Sequence, residues 1–176
     1  LIERMLAQDL TGRKGKGGFY RLRQAGAGRV KEAIDLRTGD YRASFKARPD
    51  SVAAAQAGGL RALLTHPDRT GRYAWAVLSE TLAYAAELVP EISDSIDAVD
   101  EAMRLGYNWT WGPFELIDRI GGAWLADRLE AEGRPVPALL AQARERPFYR
   151  GGAAGREQLG TNGAYLPIVR PAGTLR

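Results

Sequence analysis

Apolar positions recur at helical spacing through most of residues 50–146, and on either side they come in short runs cut by glycine. "LIERMLAQ" puts Leu1, Ile2, Met5 and Leu6 on one face and predicts the tail of a helix, closed by Gly12. "GFYRLR" and "VKEAIDL" predict two short strands, and "RTGDYR" a turn tipped by Gly39, so residues 19–45 read as a hairpin or three-stranded ribbon. "DSVAAAQAGGLRALL" predicts a helix capped by Asp50 or Ser51, broken at "THPDRTG". The strongest helical pattern follows in "RYAWAVLSETLAYAAELV", with Tyr73, Val77, Leu78, Leu82, Ala85 and Val89 as its stripe and Pro90 at its end. "SDSIDAVDEAMRLG" is capped by Ser93 or Ser95 and stopped by Gly106, while "GPFELIDRIG" starts on Pro113 and ends at Gly121. Two further helices are predicted at 122–132 and 136–146, separated by "EGRP".

The two glycine-cut regions echo one another. "GFYRLRQAGAGRVKEAIDLRTGDYR" and "PFYRGGAAGREQLGTNGAYLP" share Phe-Tyr-Arg, a Gly-rich stretch, a Gly-Arg pair, a short apolar segment and a Thr/Gly turn before Tyr. Helices precede both, which reads as two copies of one unit, the first present only as its last helix and ribbon. The chain also opens in mid-pattern at Leu1, as a piece of a longer polypeptide would.

Charge sharpens the division. Residues 1–48 carry 12 Lys/Arg against 5 Asp/Glu, residues 71–133 carry 4 against 12, and residues 134–176 carry 7 against 2. An acidic helical body with basic flanks argues against a nucleic-acid binder, whose basic face belongs on its folded body. It suits oppositely charged segments packing together, or basic flanks meeting a small anion. Composition excludes more. With no cysteine there is no disulfide framework or thiolate metal site, and one histidine, His66, rules out multi-histidine metal sites. No apolar run reaches the roughly 18–20 residues of a membrane span, and no signal peptide is visible.

Several residues invite a chemical reading. "GRKGKGGFY" (12–20) has the glycines and lysines of a phosphate cradle. A P-loop needs Lys and Ser/Thr where Gly18 and Phe19 stand, and a dinucleotide loop needs a third glycine where Tyr20 stands, with a strand before and a helix after. The stretch reads instead as a basic turn that docks Phe19 and Tyr20, with Lys14 and Lys16 as candidates to reach a ligand phosphate. Glu115 and Asp118 share a helix face near its N-terminus, where carboxylates cap more often than they catalyse. His66 sits in an interhelical loop and reads as a surface residue. Tyr107, Trp109, Trp111 and Phe114 read as core or interface aromatics, with an acyl or ring pocket as the alternative.

Two long motifs identify a family. "AMRLGYNWTWGPFELIDRIG" (102–121) closely resembles the signature of the C-terminal helical domain of 3-hydroxyacyl-CoA dehydrogenases, and "GRKGKGGFYRL" resembles that domain's closing stretch. The closing motif comes first, as in multifunctional fatty-acid oxidation proteins with tandem helical domains. The resemblance implies a mainly α fold, a helical bundle like the 6-phosphogluconate dehydrogenase C-terminal domain, with β-ribbons at 19–45 and 148–168. It implies four segments: 1–48 ends a first helical domain, 49–70 connects, 71–148 forms a second, degenerate helical domain, and 149–176 is a ribbon and linker toward a possible enoyl-CoA hydratase domain.

The same resemblance implies a cytoplasmic enzyme that oxidises (3S)-3-hydroxyacyl-CoA with NAD. The NAD and the catalytic His–Glu pair belong to a Rossmann domain outside this chain. The family's Asn-Arg pair falls on Gly71 and Arg72, counting back from Glu80, so the Asn is absent and no catalytic residue is assigned. Gly106, Gly112, Pro113, Phe114, Glu115, Asp118, Phe19 and Tyr20 are the motif's structural positions. Lys14 and Lys16 are candidate contacts to the CoA phosphates. Expected partners are the acyl-CoA substrate, the chain's own missing domains and a second copy, with no metal, nucleic acid or membrane span. A stand-alone helical interaction module is the alternative function.

Overall fold

The computed structural model describes residues 1–153 and 155–169. The chain divides into two compact units, Leu1–Arg48 and Pro49–Arg176. It is mainly α, with one small three-stranded antiparallel sheet in each unit.

In the first unit, α1 (Ile2–Ala7) is followed by β1 (Tyr20–Ala25), β2 (Gly28–Ile34) and β3 (Tyr41–Ala43), paired in that order. The chain turns out of α1 at Asp9, which takes the left-handed conformation (φ 59°), rather than at Gly12 as expected. A short polar side chain tolerates that region. Gly12 instead forms a bridge with Gly17, its N–H donating to the Gly17 carbonyl at 2.7 Å and closing a four-residue turn that carries Lys14 and Lys16. Glu32 on β2 is buried and receives Arg21 and Arg23, each at 2.7 Å. The Arg23 and Arg21 hydrogen bonds hold its carboxyl below the usual range.

The second unit is a helical body closed by a ribbon. Its helices are α2 (Asp50–Thr65), α3 (Arg69–Leu88), α4 (Ile96–Tyr107), α5 (Pro113–Ile120), α6 (Gly122–Ala131) and α7 (Ala138–Gln142). The ribbon is β4 (Tyr149–Gly152), β5 (Gly155–Leu159) and β6 (Tyr165–Pro167), and the part of the expected 149–176 ribbon and linker from 170 onward lies outside the described residues. Leu64, Leu82, Ile96, Phe114, Ile117 and Leu125 are among the residues packed into one core.

Local chemistry explains where these helices begin and end. Pro49, not Asp50 or Ser51, stands at the N-cap of α2, and the Ser51 N–H donates instead to Asp68 at 3.0 Å. Asp68 also caps α3 by accepting from the Gly71 N–H at 2.6 Å, so one carboxylate serves two helix starts. Gly59 interrupts α2 at φ 73°, ψ −168°, a conformation essentially reserved for glycine. Ser95 caps α4 through the Ala98 N–H. The helix runs past Gly106 and stops at Asn108, the left-handed residue (φ 56°). α7 is shorter than the expected 136–146. Pro137 stands at its N-cap and disfavours helical backbone at Val136, and the Ala143 and Arg144 N–H groups turn back to carbonyls three residues earlier.

The inward face of α3 differs from the expected stripe. Gly71, Trp75, Ser79, Leu82 and Ala86 are buried, whereas Tyr73 and Val77 are exposed. Trp75 packs edge-on against Trp124 at 5.6 Å. Arg128 lies over the Trp75 ring at 3.7 Å and donates to the Leu64 carbonyl at the end of α2.

Candidate functional site

The family-like motif builds a lock between α4, α5 and β4. α5 opens on Gly112-Pro113, so its N-cap residue carries no side chain to receive the first amides. Asp100, one turn after the start of α4, fills that role from outside. Its Oδ1 accepts from the Phe114 N–H at 2.9 Å and its Oδ2 from the Glu115 N–H at 3.0 Å. Tyr149 on β4 donates its hydroxyl to the same Oδ2 at 2.9 Å. Asp100 is fully buried. Burial pushes its carboxyl up to about 6, against the downward pull of the Phe114 N–H, the Tyr149 hydroxyl and the Glu115 N–H. Burial and the neighbouring Asp100 charge push the Tyr149 phenol far up as well.

Gly112 is required by close approach. A Cβ there would lie 2.3 Å from the Cα, Cβ and Cγ of Asp100. Gly106 has no such constraint, being exposed inside α4 with open space around it. Pro113 and Phe114 are buried, and Phe114 meets Phe148 edge-on at 5.0 Å.

Glu115 and Asp118 act separately. Glu115 reaches back to the Gly112 N–H at 3.0 Å and pairs with Arg104 at 2.7 Å and Arg156 at 2.9 Å. Burial opposes its ionisation, but the Gly112 N–H and the two guanidiniums outweigh it and hold its pKa down. Asp118 accepts the N–H groups of Phe148 at 2.7 Å and Tyr149 at 2.9 Å, and burial keeps its carboxyl above the ordinary value. Both oxygens of each carboxylate are engaged, so the arrangement holds elements together. A shallow depression of about 250 Å³ lies over it, lined by Trp111, Glu115, Asp118, Arg119, Tyr149 and Arg156. Of the aromatic group, Phe114 is in the core and Trp109 packs against it. Trp111 lies under Arg119 at the surface and Tyr107 is exposed.

Residues 71–156 match the 3-hydroxyacyl-CoA dehydrogenase C-terminal domain family. That stretch is a domain of this family. The chain is 38% identical over 143 residues to a Bacillus subtilis protein named as a probable 3-hydroxyacyl-CoA dehydrogenase, covering 78% of the chain and 18% of the relative. It is 35% identical over 117 residues to a Rickettsia felis protein (66% of the chain, 15% of the relative). It is 30% identical over 144 residues to one from Rickettsia prowazekii (80% and 19%). Both are named as fatty acid oxidation complex trifunctional enzymes. The chain spans less than a fifth of the length of these relatives. No solved structure matches it.

Gly71 sits in the first turn of α3, where a Cβ would fall 2.3 Å from the His66 carbonyl oxygen. An asparagine, or any other side chain, therefore does not fit there. Arg72 is exposed and donates to the Pro67 carbonyl. His66 is half-buried with Nδ1 3.4 Å from Asp68. Phe19, Tyr20, Lys14 and Lys16 belong to the first unit, with all four side chains exposed. No cluster of metal-ligating side chains occurs among the described residues, and no helix there is long and apolar enough to cross a membrane. The segment 12–17 leads from a helix toward a strand, the reverse of the strand–turn–helix a dinucleotide requires, so these residues do not fit NAD.

Sequence reasoning missed Asp100, Tyr149 and Arg156. A signal existed: a helix opening on Gly-Pro lacks its own capping side chain, so a nearby carboxylate must supply one.

Proposed function

We propose that the chain is part of an NAD-dependent 3-hydroxyacyl-CoA dehydrogenase of fatty-acid β-oxidation, working in the cytoplasm within a longer multifunctional polypeptide. In this reading the hydride transfer takes place in a domain outside these 176 residues, and residues 71–148 buttress that domain and help shape its acyl-CoA cleft. The observation that carries the reading is the Gly112–Asp118 lock inside a stretch that matches the family. The clamp has the chemistry of a support, since its carboxylates are committed to backbone amides and arginines. The trifunctional names of two relatives support a further activity, such as enoyl-CoA hydration, in the same polypeptide. Lys14 and Lys16, exposed on a glycine-rich turn, are proposed to meet the CoA phosphates.

Two measurements test this. Charge reversal of Lys14 and Lys16 in the full-length protein should raise KM for the acyl-CoA several-fold and leave kcat nearly unchanged, the signature of lost ground-state binding. The 176-residue chain alone should neither bind NAD nor oxidise 3-hydroxyacyl-CoA. Either activity in the isolated chain would overturn the assignment of chemistry to another domain.

A further inference from the structure

Helix α2 cannot be straight. Its Ser51 N–H donates to Asp68 Oδ2 at 3.0 Å, although Asp68 lies just beyond the helix's far end. An unbroken helix would hold Ser51 about 21 Å from Thr65, and three extended residues span only about 10 Å. The break at Gly59 is therefore a fold-back, which returns the start of the helix to the loop that follows its end. Two arms result, residues 50–58 and residues 60–65.

The arms are held unequally. In the second, Leu64 is part of the core and Leu60 packs against it. Arg61 donates to the Ile120 carbonyl at 2.8 Å, and the Leu64 carbonyl accepts from Arg128 at 2.8 Å. The first arm sends no side chain into that core. Ser51 is its one buried residue, Ala54 and Ala55 are half-buried, and the rest are exposed. Outside the helix's own ladder, and among the described residues, the Ser51–Asp68 hydrogen bond alone joins this arm to the body.

We infer that residues 50–58 form a hinged strap, latched by Asp68, that lifts about Gly59 while residues 60–65 and the rest of the helical body stay folded. The hinge is a single residue, because Gly59 takes a backbone conformation essentially reserved for glycine. The latch is a single bond, because Asp68 divides its oxygens. Oδ1 caps α3 through the Gly71 N–H at 2.6 Å, and Oδ2 takes Ser51. Letting go of Ser51 leaves α3 capped and Oδ2 open to solvent. A detached helix as short as this arm is marginal in water, so the strap unravels as it lifts. The second unit begins at Pro49, at the tip of this arm. The strap thus lets the entering chain lift without unfolding the body behind it. The inference does not depend on the enzymatic assignment.

Amide hydrogen exchange on the 176-residue chain tests it residue by residue. The amides of Ser51 and of Ala54–Gly58 should exchange about tenfold or more faster than those of Leu63–Thr65 and the middle of α3. Asp68→Asn keeps one side-chain oxygen for Gly71 and removes the acceptor from Ser51. It should quicken Ser51 and Ala54–Gly58 several-fold further and leave the middle of α3 unchanged. Protection of Ala54–Gly58 equal to that of α3 would overturn the inference, because the arm would then open only with the whole body. So would an Asp68→Asn chain in which the arm and α3 quicken together, or one in which the arm does not change. The first comparison uses the unaltered chain, so it decides the matter even where Asp68→Asn does not fold.

Discussion

At the scale of single residues, the two motif glycines of the α4–α5 region separate. Gly112 leaves no room for a methyl group beside Asp100, so Gly112→Ala should destabilise by about 1–3 kcal/mol, read by denaturant unfolding. Gly106 lies exposed on a helix with open space around it, so Gly106→Ala should stabilise by about 0.4–1 kcal/mol. If Gly106→Ala destabilises the full-length polypeptide while stabilising this chain, its glycine serves a contact outside these residues. Two aspartates set opposite pH slopes. Asp68 is held down to about 2 by the Gly71 and Ser51 amides, so its contribution is present above about pH 4 and is lost as pH falls through 2. Asp100 is pushed up to about 6, so the folded state holds a proton that the unfolded chain has released near 3.8. Its contribution is complete below about pH 4 and declines as pH rises through 6. Urea titrations at stepped pH, with a 13C titration of the Asp100 carboxyl, check both slopes. A carboxyl that titrates below 4 refutes the Asp100 part.

At the scale of elements, caps were partly legible: Gly12, Asp50, Ser51 and Gly106 do not bound their helices as expected. Pro113, Gly121 and Ser95, one of the two serines offered as a cap, mark helix ends that the structure keeps, because capping is set between neighbouring residues. The stripe on α3 was misjudged because Tyr73 and Val77 are apolar enough to look buried, while the buried positions include Gly71 and Ser79. Only the neighbouring helices decide which face turns inward. α2 hides a break that its alanine-rich sequence masks, because Gly59 takes a backbone conformation closed to other residues. Gly59→Ala should cost about 1–3 kcal/mol and Gly58→Ala less than Gly59→Ala, as thermal unfolding would show. Equal costs would mean that α2 is continuous in solution. The clamp was half legible. Glu115 and Asp118 stood out as a spaced pair, but their partners lie at β4, on β5, on α4 and at the α5 start, and no helix-spacing rule joins them.

At the scale of the whole molecule, the repeat seen in the sequence becomes two ribbons of one design in unlike settings. That contrast has a direct mutational form. Phe148→Ala removes a ring from the core and should cost about 3–5 kcal/mol. Phe19→Ala should cost well under 1 kcal/mol in this chain, where its ring is half in solvent. A comparable loss at both sites would mean that Phe19 is already covered. The position of Asp100 has a kinetic consequence too. It binds amides only 14 and 15 residues ahead, closing a short loop, whereas Asp118 must wait for a strand 30 residues further on. Short loops close early and long ones late. Damage to the Asp100 grip should therefore slow refolding, and damage to the Asp118 grip should mainly hasten unfolding, so the α4–α5 corner would be the place where this body begins to fold.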